Sequence, residues 1–238
     1  MEVRSLYREP EQRDELSFGA LEFHDVYRIF RSGPAETVAL RGLDLHVDPR
    51  ELVVLFGASG SGKSTALHLA AGLDAPSAGD VLAFGRSLAR QSEPELADYR
   101  ARQVAIVFQS GNLWPGLSAR ENVALCLRLA GHRGGLSDRV DRVLDAFDLR
   151  GRQRQRAGTL SGGEQQRVAI AAAAAREAPL VLADEPTAEI DAHNEHVVLD
   201  AIGRLRDDFG STVVVVTHSE RVAEAADRVI EIHDGRAS

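Results

Sequence analysis

One run of eight residues constrains this chain more than any other: Gly57-Ala58-Ser59-Gly60-Ser61-Gly62-Lys63-Ser64. It follows the apolar stretch Leu52–Phe56, which reads as a strand buried on both faces. A helical pattern follows it, reaching about Ala71. A strand, a glycine-rich turn and a helix start let the backbone curl so that its N–H groups point at phosphate oxygens. The positive end of the helix adds to that attraction. In such a loop Lys63 reaches the β/γ-phosphates and Ser64 ligates Mg²⁺. Composition sharpens the point: of 28 lysines and arginines, Lys63 is the one lysine. An ammonium is a compact point charge and a guanidinium a broad planar fork, so Lys63 marks a position where arginine does not serve.

The 238-residue chain is long enough to bury a core without disulfides or a structural metal. A net charge of −8 argues against general nucleic-acid binding, which needs basic surface. The single cysteine, Cys126, excludes a disulfide framework and a cysteine-cluster zinc site. Residues 1–19 read as a polar extension without the apolar core of a signal peptide. No apolar run approaches about 18 residues, so the expectation is a soluble chain that reaches a membrane through a partner.

Strands are expected at 21–30, 38–47, Leu52–Phe56 and 81–84. Capping-box spacings begin at Ser92 and Ser118, and Val140, Val143, Leu144 and Phe147 share one helix face. Residues 115–160 therefore read as all-helical. Helices at 164–176, 192–209 and 219–226 then alternate with strands at 180–183, 212–217 and 229–232, before an Asp234-Gly235 turn. Alternation implies a largely parallel sheet with helices on both faces, interrupted by a helical insertion. No internal repeat is found.

The strand at 180–183 runs into Asp184 and Glu185. Beside a phosphate loop, the first carboxylate belongs near the metal and the second can orient or deprotonate an attacking water. Leu160-Ser161-Gly162-Gly163-Glu164-Gln165-Gln166-Arg167 is a second glycine-containing helix start, hence a second anion-attracting turn.

This last segment resembles the signature motif of ATP-binding cassette (ABC) ATPases, and the family pattern continues over residues from about 21 to 236. The resemblance implies an α/β fold: a P-loop NTPase (RecA-like) core with a mostly parallel sheet, an N-terminal antiparallel β region and an inserted α-helical subdomain. The cassette would occupy 20–238, with core segments 20–90 and 161–238 and the insertion at about 91–160. It also implies ATP and Mg²⁺ as ligands. The loop from Gly57 to Ser64, with Thr65, would hold the phosphates. Ser64 and Gln109, in Val-Phe-Gln-Ser, would ligate Mg²⁺, with Asp184 near it. Glu185, Gln109 and His218 would be the catalytic set. Ser161, Gly162, Gly163 and Glu164 would bind nucleotide from the facing subunit, where Asp191 also crosses. Phe30 stands where the family places a ring on adenine, although Tyr27 is close and a core role for either ring is open.

Two positions depart from the family pattern. Glu189 stands where a small or amide residue is usual, and Ala172 where an arginine is frequent. The wording of 72–74, 113–115 and 182–187 is similar to the branch serving lipoprotein release, macrolide export and cell-division permeases. The resemblance thus implies an ATPase subunit peripheral on the inner face of the cell membrane. It would dimerise with itself or a similar cassette and drive an integral-membrane permease, with no nucleic-acid partner. A soluble cassette acting on a macromolecular assembly is the alternative. Trp114 can anchor a permease helix or pack inside the insertion. Arg150, Arg152, Arg154 and Arg156 read as a solvated loop or as a contact for anionic headgroups. His193 and His196 read as a solvated helix face rather than a metal site.

Overall fold

The computed structural model describes residues 19–33 and 35–238; the expected polar extension lies outside them except for Gly19. The chain opens with two long antiparallel strands, β1 (Leu21–Ser32) and β2 (Ala35–Val47). Strand β2 shows the expected alternation: Leu43, Leu45 and Val47 are buried, while Asp44 and His46 are exposed. With β4 (Ala78–Ala83) and the short β5 (Arg86–Ser87) they form a four-stranded antiparallel sheet in the order β2-β1-β4-β5.

The second sheet is the centre of the molecule. Its strands are β3 (Leu52–Phe56), β6 (Val104–Val107), β7 (Leu180–Asp184), β8 (Thr212–Thr217), β9 (Arg228–His233) and β10 (Arg236–Ala237). They are ordered β10-β9-β3-β8-β7-β6, all parallel except the terminal β10. The continuous apolar runs are explained by two-sided burial. Val54, Val181, Ala183, Val213 and Val215 face one core; Val53, Leu55, Leu182, Val214 and Val216 face the other. Each of these valines and leucines contributes about 1.5–3 kcal/mol of burial.

The second core also holds α1 (Lys63–Ala70) and Tyr99 of α2 (Glu93–Arg102), between the two sheets. The first core is built on α5 (Gly162–Ala175) and α6 (Ala192–Asp207), with α3 (Ala119–Leu129) and α4 (Leu136–Ala146) around them. A short helix, α7 (Glu220–Glu224), closes the same face. Helix α5 is buried from Val168 to Ala175, and its run of alanines allows close approach on several sides. Ala172 is buried in that apolar core, so no ion-pair position stands open there. Arg176, one position beyond the helix, supplies a guanidinium instead. Its Nη2 donates to the carbonyls of Arg100, Ala101 and Val104, tying α5 to the end of α2 and the start of β6.

The start of the insertion at about 91 is corrected. Helix α2 belongs to the core, because Tyr99 is buried and its hydroxyl donates to the Ala70 carbonyl at 2.6 Å. Strand β6 then pairs with β7 in the central sheet. The capping box at Ser92 marks a helix start but carries no information on which body that helix packs against. The insertion proper follows β6 and is helical as expected: α3, α4 and two single 3₁₀ turns at Arg150–Arg152 and Ala157–Thr159. The predicted face of α4 is buried, and Phe147 stacks on Phe209 at 5.6 Å.

Gly203 lies inside α6 beside a cavity also lined by Leu52, Val54, Ile202 and Val222, and nothing lies within 4 Å of where its Cβ would stand. Gly203→Ala is expected to stabilise the protein by about 0.5–1 kcal/mol and raise Tm by a few degrees. A fall in Tm on thermal melting would show that α6 is not a regular helix there.

Candidate functional site

Three neighbouring strands end together. Phe56 of β3 pairs with Thr217 of β8, and Val216 pairs with Asp184 of β7. Gly57, Glu185 and His218 therefore leave the sheet side by side at its carboxyl edge, where open α/β sheets bind ligands.

The glycine loop depends on two close approaches. Gly62 has φ of 107° and forms the cap of α1, and a Cβ there would lie 2.5 Å from the Ala39 carbonyl of β2. A Cβ on Gly57 would lie 2.3 Å from the Ile232 carbonyl. Lys63 is 5% exposed and folds back over the loop, its Nζ donating to the carbonyls of Gly57 at 2.7 Å and Ala58 at 2.9 Å. Two of its three N–H donors are thereby fixed, and one remains. Burial lowers its pKa, opposed by the charges of Glu185 and Asp184. A polyanion in the loop would offset that desolvation. Ser61 Oγ is buried without a hydrogen-bond partner, and Ala58, Ser59 and Gly60 are exposed. The loop thus fits a polyphosphate: it has a buried cation, an unmet hydroxyl and an accessible backbone.

Ser64 donates its hydroxyl to Asp184 Oδ1 at 3.1 Å, joining two oxygen ligands of the kind Mg²⁺ takes. Desolvation raises the pKa of Asp184, an environment that a divalent cation would relieve. Thr65 is half-buried in the first turn of α1.

Glu185 has φ of 44°, a left-handed conformation that costs a non-glycine residue about 1 kcal/mol or more. Three bonds hold its amide and its carboxylate. Its N–H donates to Val216 O at 2.9 Å, Thr217 Oγ1 donates to Oε2 at 2.9 Å, and His218 Nδ1 lies 2.9 Å from Oε1. Each carboxylate oxygen keeps a further lone pair for a water. The sequence reading missed Thr217, because nothing local marks a strand-end threonine as an orienting group.

Gln109 is not joined to Ser64 and Asp184. Its Nε2 donates to Glu189 Oε1 at 3.3 Å. The segment around it is fastened by two further residues that sequence missed. Asn112 bonds both the N–H and the carbonyl of Phe108, and Gln166 of α5 donates to the same carbonyl at 3.1 Å. Gln166 lies in the signature segment, so one motif holds another.

Ser161 caps α5, its Oγ accepting from Glu164 N–H at 3.2 Å. Gly162 and Gly163 form the first turn. Both carboxylate oxygens of Glu164 are engaged within the chain, one by Ser161 N–H and one by Arg152, so the structure uses Glu164 as a cap rather than presenting it to a ligand. Asp191 likewise bonds Asn194, accepting from its N–H at 3.1 Å and its Nδ2 at 2.8 Å.

Phe30 is 41% exposed, with the Arg28 guanidinium 4.5 Å over its ring. It pairs with Thr37, two residues from the Ala39 carbonyl that meets Gly62, so the ring lies on the strand pair next to the loop. Tyr27 is half-buried. Trp114 is 66% exposed, which removes packing inside the insertion as its role. Arg150 and Arg152 are paired with Asp145 and Glu164. Among the described residues no group of three or more His, Cys, Asp or Glu could hold a metal; the His193 side chain lies outside them.

A strand–loop–helix phosphate site with two carboxylates at the end of β7, one strand removed from β3 in the same sheet, defines a P-loop nucleotide-binding domain. Comparison with known proteins narrows this. The family model described as ABC transporter matches residues 40–188. A Thermotoga maritima protein described as an uncharacterized ABC transporter ATP-binding protein is 40% identical over 217 residues, covering 91% of this chain and 92% of the relative. The macrolide export ATP-binding/permease protein MacB of Azoarcus sp. is 40% identical over 90% of this chain. This chain spans only 33% of that protein's length. A solved structure described as the dimeric post-hydrolysis state of an ATP-binding cassette bound to ADP and Pi matches with a TM-score of 0.83 and 34% identity, covering 92% of this chain and 96% of that one. The chain belongs to the ABC transporter family, as an ATP-binding cassette with the ATPase fold.

Because Asp184 is desolvated, the native state binds its proton more tightly than the unfolded chain does. Stability then falls as pH rises from the ordinary aspartate value through the raised one, and above that the full cost is present. Asp184→Asn is expected to raise the Tm of the ligand-free protein at pH 7 by a few degrees. An unchanged or lower Tm would show that the carboxylate is not under strain.

Proposed function

We propose that this chain is the ATP-hydrolysing subunit of an ABC transporter, closing head-to-tail with a second cassette on two Mg-ATP molecules to drive a separate membrane permease. One observation carries the two-subunit reading. Helices α1 and α5 both begin in anion-attracting turns, yet they pack on opposite faces of the central sheet. Among the described residues no hydrogen bond joins the two turns. A chain of this shape would use its second turn on a nucleotide held by another copy.

In this reading the loop N–H groups and Lys63 bind the phosphates, and Phe30 stacks on the adenine. Ser64 and Gln109 would hold Mg²⁺, with Asp184 near it, once the Gln109 amide leaves Glu189. Bound there, the metal would neutralise phosphate charge. Glu185 accepts the proton of the attacking water, with Thr217 and His218 holding the carboxylate in place. His218 also reaches the γ-phosphate. Ser161, Gly162 and Gly163 cover the phosphates of the facing subunit, with Asp191 in the crossing loop. Hydrolysis splits one anion into two, and their repulsion reopens the pair. Glu185→Gln is expected to bind ATP normally, to lose about 10²–10⁴-fold in turnover and to accumulate as an ATP-dependent dimer on light scattering. Turnover near wild type would remove Glu185 from this role.

No helix among the described residues is long and apolar enough to cross a membrane, so attachment would fall to the permease at the inner face. Exposed Trp114, just past Gln109, is the anchor this reading assigns to the permease. Trp114→Ala is expected to abolish copurification with the membrane subunit and leave ATP affinity and Tm unchanged. A lowered Tm with membrane association intact would contradict it.

A further inference from the structure

The start of α5 carries an electrostatic contradiction. In the two-subunit reading it must receive the phosphates of a facing nucleotide. Its capping box nevertheless places a carboxylate, Glu164, in the first turn. Glu164 is needed for the shape of that turn: Oε2 accepts the Ser161 N–H at 2.9 Å, and Ser161 Oγ accepts the Glu164 N–H at 3.2 Å. The charge that suits the helix opposes the incoming anion.

The chain supplies an answer from outside the motif. Arg152 lies in the first of the two 3₁₀ turns that follow α4 in the helical insertion, and its Nε donates to Glu164 Oε1 at 2.6 Å. The Glu164 side chain is only 18% exposed, so its charge is less screened than that of a free surface carboxylate. The Arg152 hydrogen bond is also the largest cause of the lowered Glu164 pKa, which keeps the carboxylate ionised and paired. Among the described residues the Arg152 side chain makes no other hydrogen bond or ion pair.

We propose that Arg152 is a positioning residue for the signature turn: it cancels the charge of Glu164 without disturbing the cap, so that the start of α5 can accept a phosphate from the facing subunit. The inference rests on the head-to-tail reading. Because Arg152 belongs to the insertion, a displacement of that subdomain which draws Arg152 away would leave Glu164 uncompensated and weaken the closed dimer. Phosphate affinity at the signature turn is thus tied to the position of the insertion.

The test uses the full chain carrying Glu185→Gln, with the ATP concentration for half-maximal dimer read by light scattering at fixed Mg²⁺. Adding Arg152→Ala should raise that concentration roughly five- to tenfold, the scale of one partly exposed charge pair, with monomer ATP affinity unchanged in the absence of Mg²⁺. Adding Glu164→Gln to Arg152→Ala should bring it back to near the parent value, because glutamine keeps the capping box and removes the charge. Arg152→Lys, which keeps the charge, should dimerise nearly as the parent does. The proposal is overturned if Arg152→Ala dimerises like the parent, or if Glu164→Gln does not rescue it, which would mean that Arg152 touches the phosphate itself or only braces the fold. A parent that stays monomeric at saturating Mg-ATP would overturn the two-subunit reading first and this inference with it.

Discussion

The two-sided burial of the central sheet is the constraint from which the rest follows. Strands β3, β7 and β8 have apolar side chains pointing both ways, so helices must cover both faces. The helix after β3 goes to one face, and the helix before β7 goes to the other. That division separates the two anion-attracting turns and gives each a different task. The same parallel pairing brings Gly57, Glu185 and His218 to one edge, because Phe56, Thr217, Val216 and Asp184 are matched across three strands. Chemistry is concentrated there because strand register puts it there.

The site is then held by bonds that reach across the chain. Lys63 closes its own loop by donating to Gly57 and Ala58. Thr217 and His218 fix a glutamate whose backbone is in a disfavoured conformation. Gln166 and Asn112 brace the segment carrying Gln109, and Glu189 holds the amide nitrogen of that glutamine. The unusual carboxylate at 189 thus has a partner within its own chain. Of the expected metal ligands, Ser64 and Asp184 are brought together, while Gln109 is engaged elsewhere.

Much of this was legible in the residues. The phosphate loop is readable because its glycines, lysine and serine are contiguous, and the apolar run before it is long enough to name a buried strand. The 3.6-residue period at Val140, Val143, Leu144 and Phe147 gave the face of α4 correctly. What escaped reading depends on partners far along the chain. The apolar run before Gln109 reads as a strand, and only its pairing with β7 makes Val104–Val107 part of the central sheet. Thr217 is 32 residues from Glu185 and Gln166 is 58 from Phe108, so neither pairing shows in the local sequence. Arg152 read as one member of a solvated basic run, and its tie to Glu164 emerges only when the insertion folds back on α5. Trp114 could not be assigned to surface or core from its neighbours, and the fold leaves it exposed.

The division of one nucleotide site between two chains is the central claim, and mixing two inactive variants tests it most directly. Lys63→Ala removes the phosphate-loop cation and Ser161→Arg blocks the signature turn, so neither variant alone should hydrolyse ATP. If sites are shared, a mixed pair contains one site with both Lys63 and Ser161 intact, and an equal mixture should recover up to about a quarter of wild-type ATPase activity. Activity that stays at the level of the separate variants, with mixed dimers shown to form, would contradict the account and place both turns at the service of a single chain.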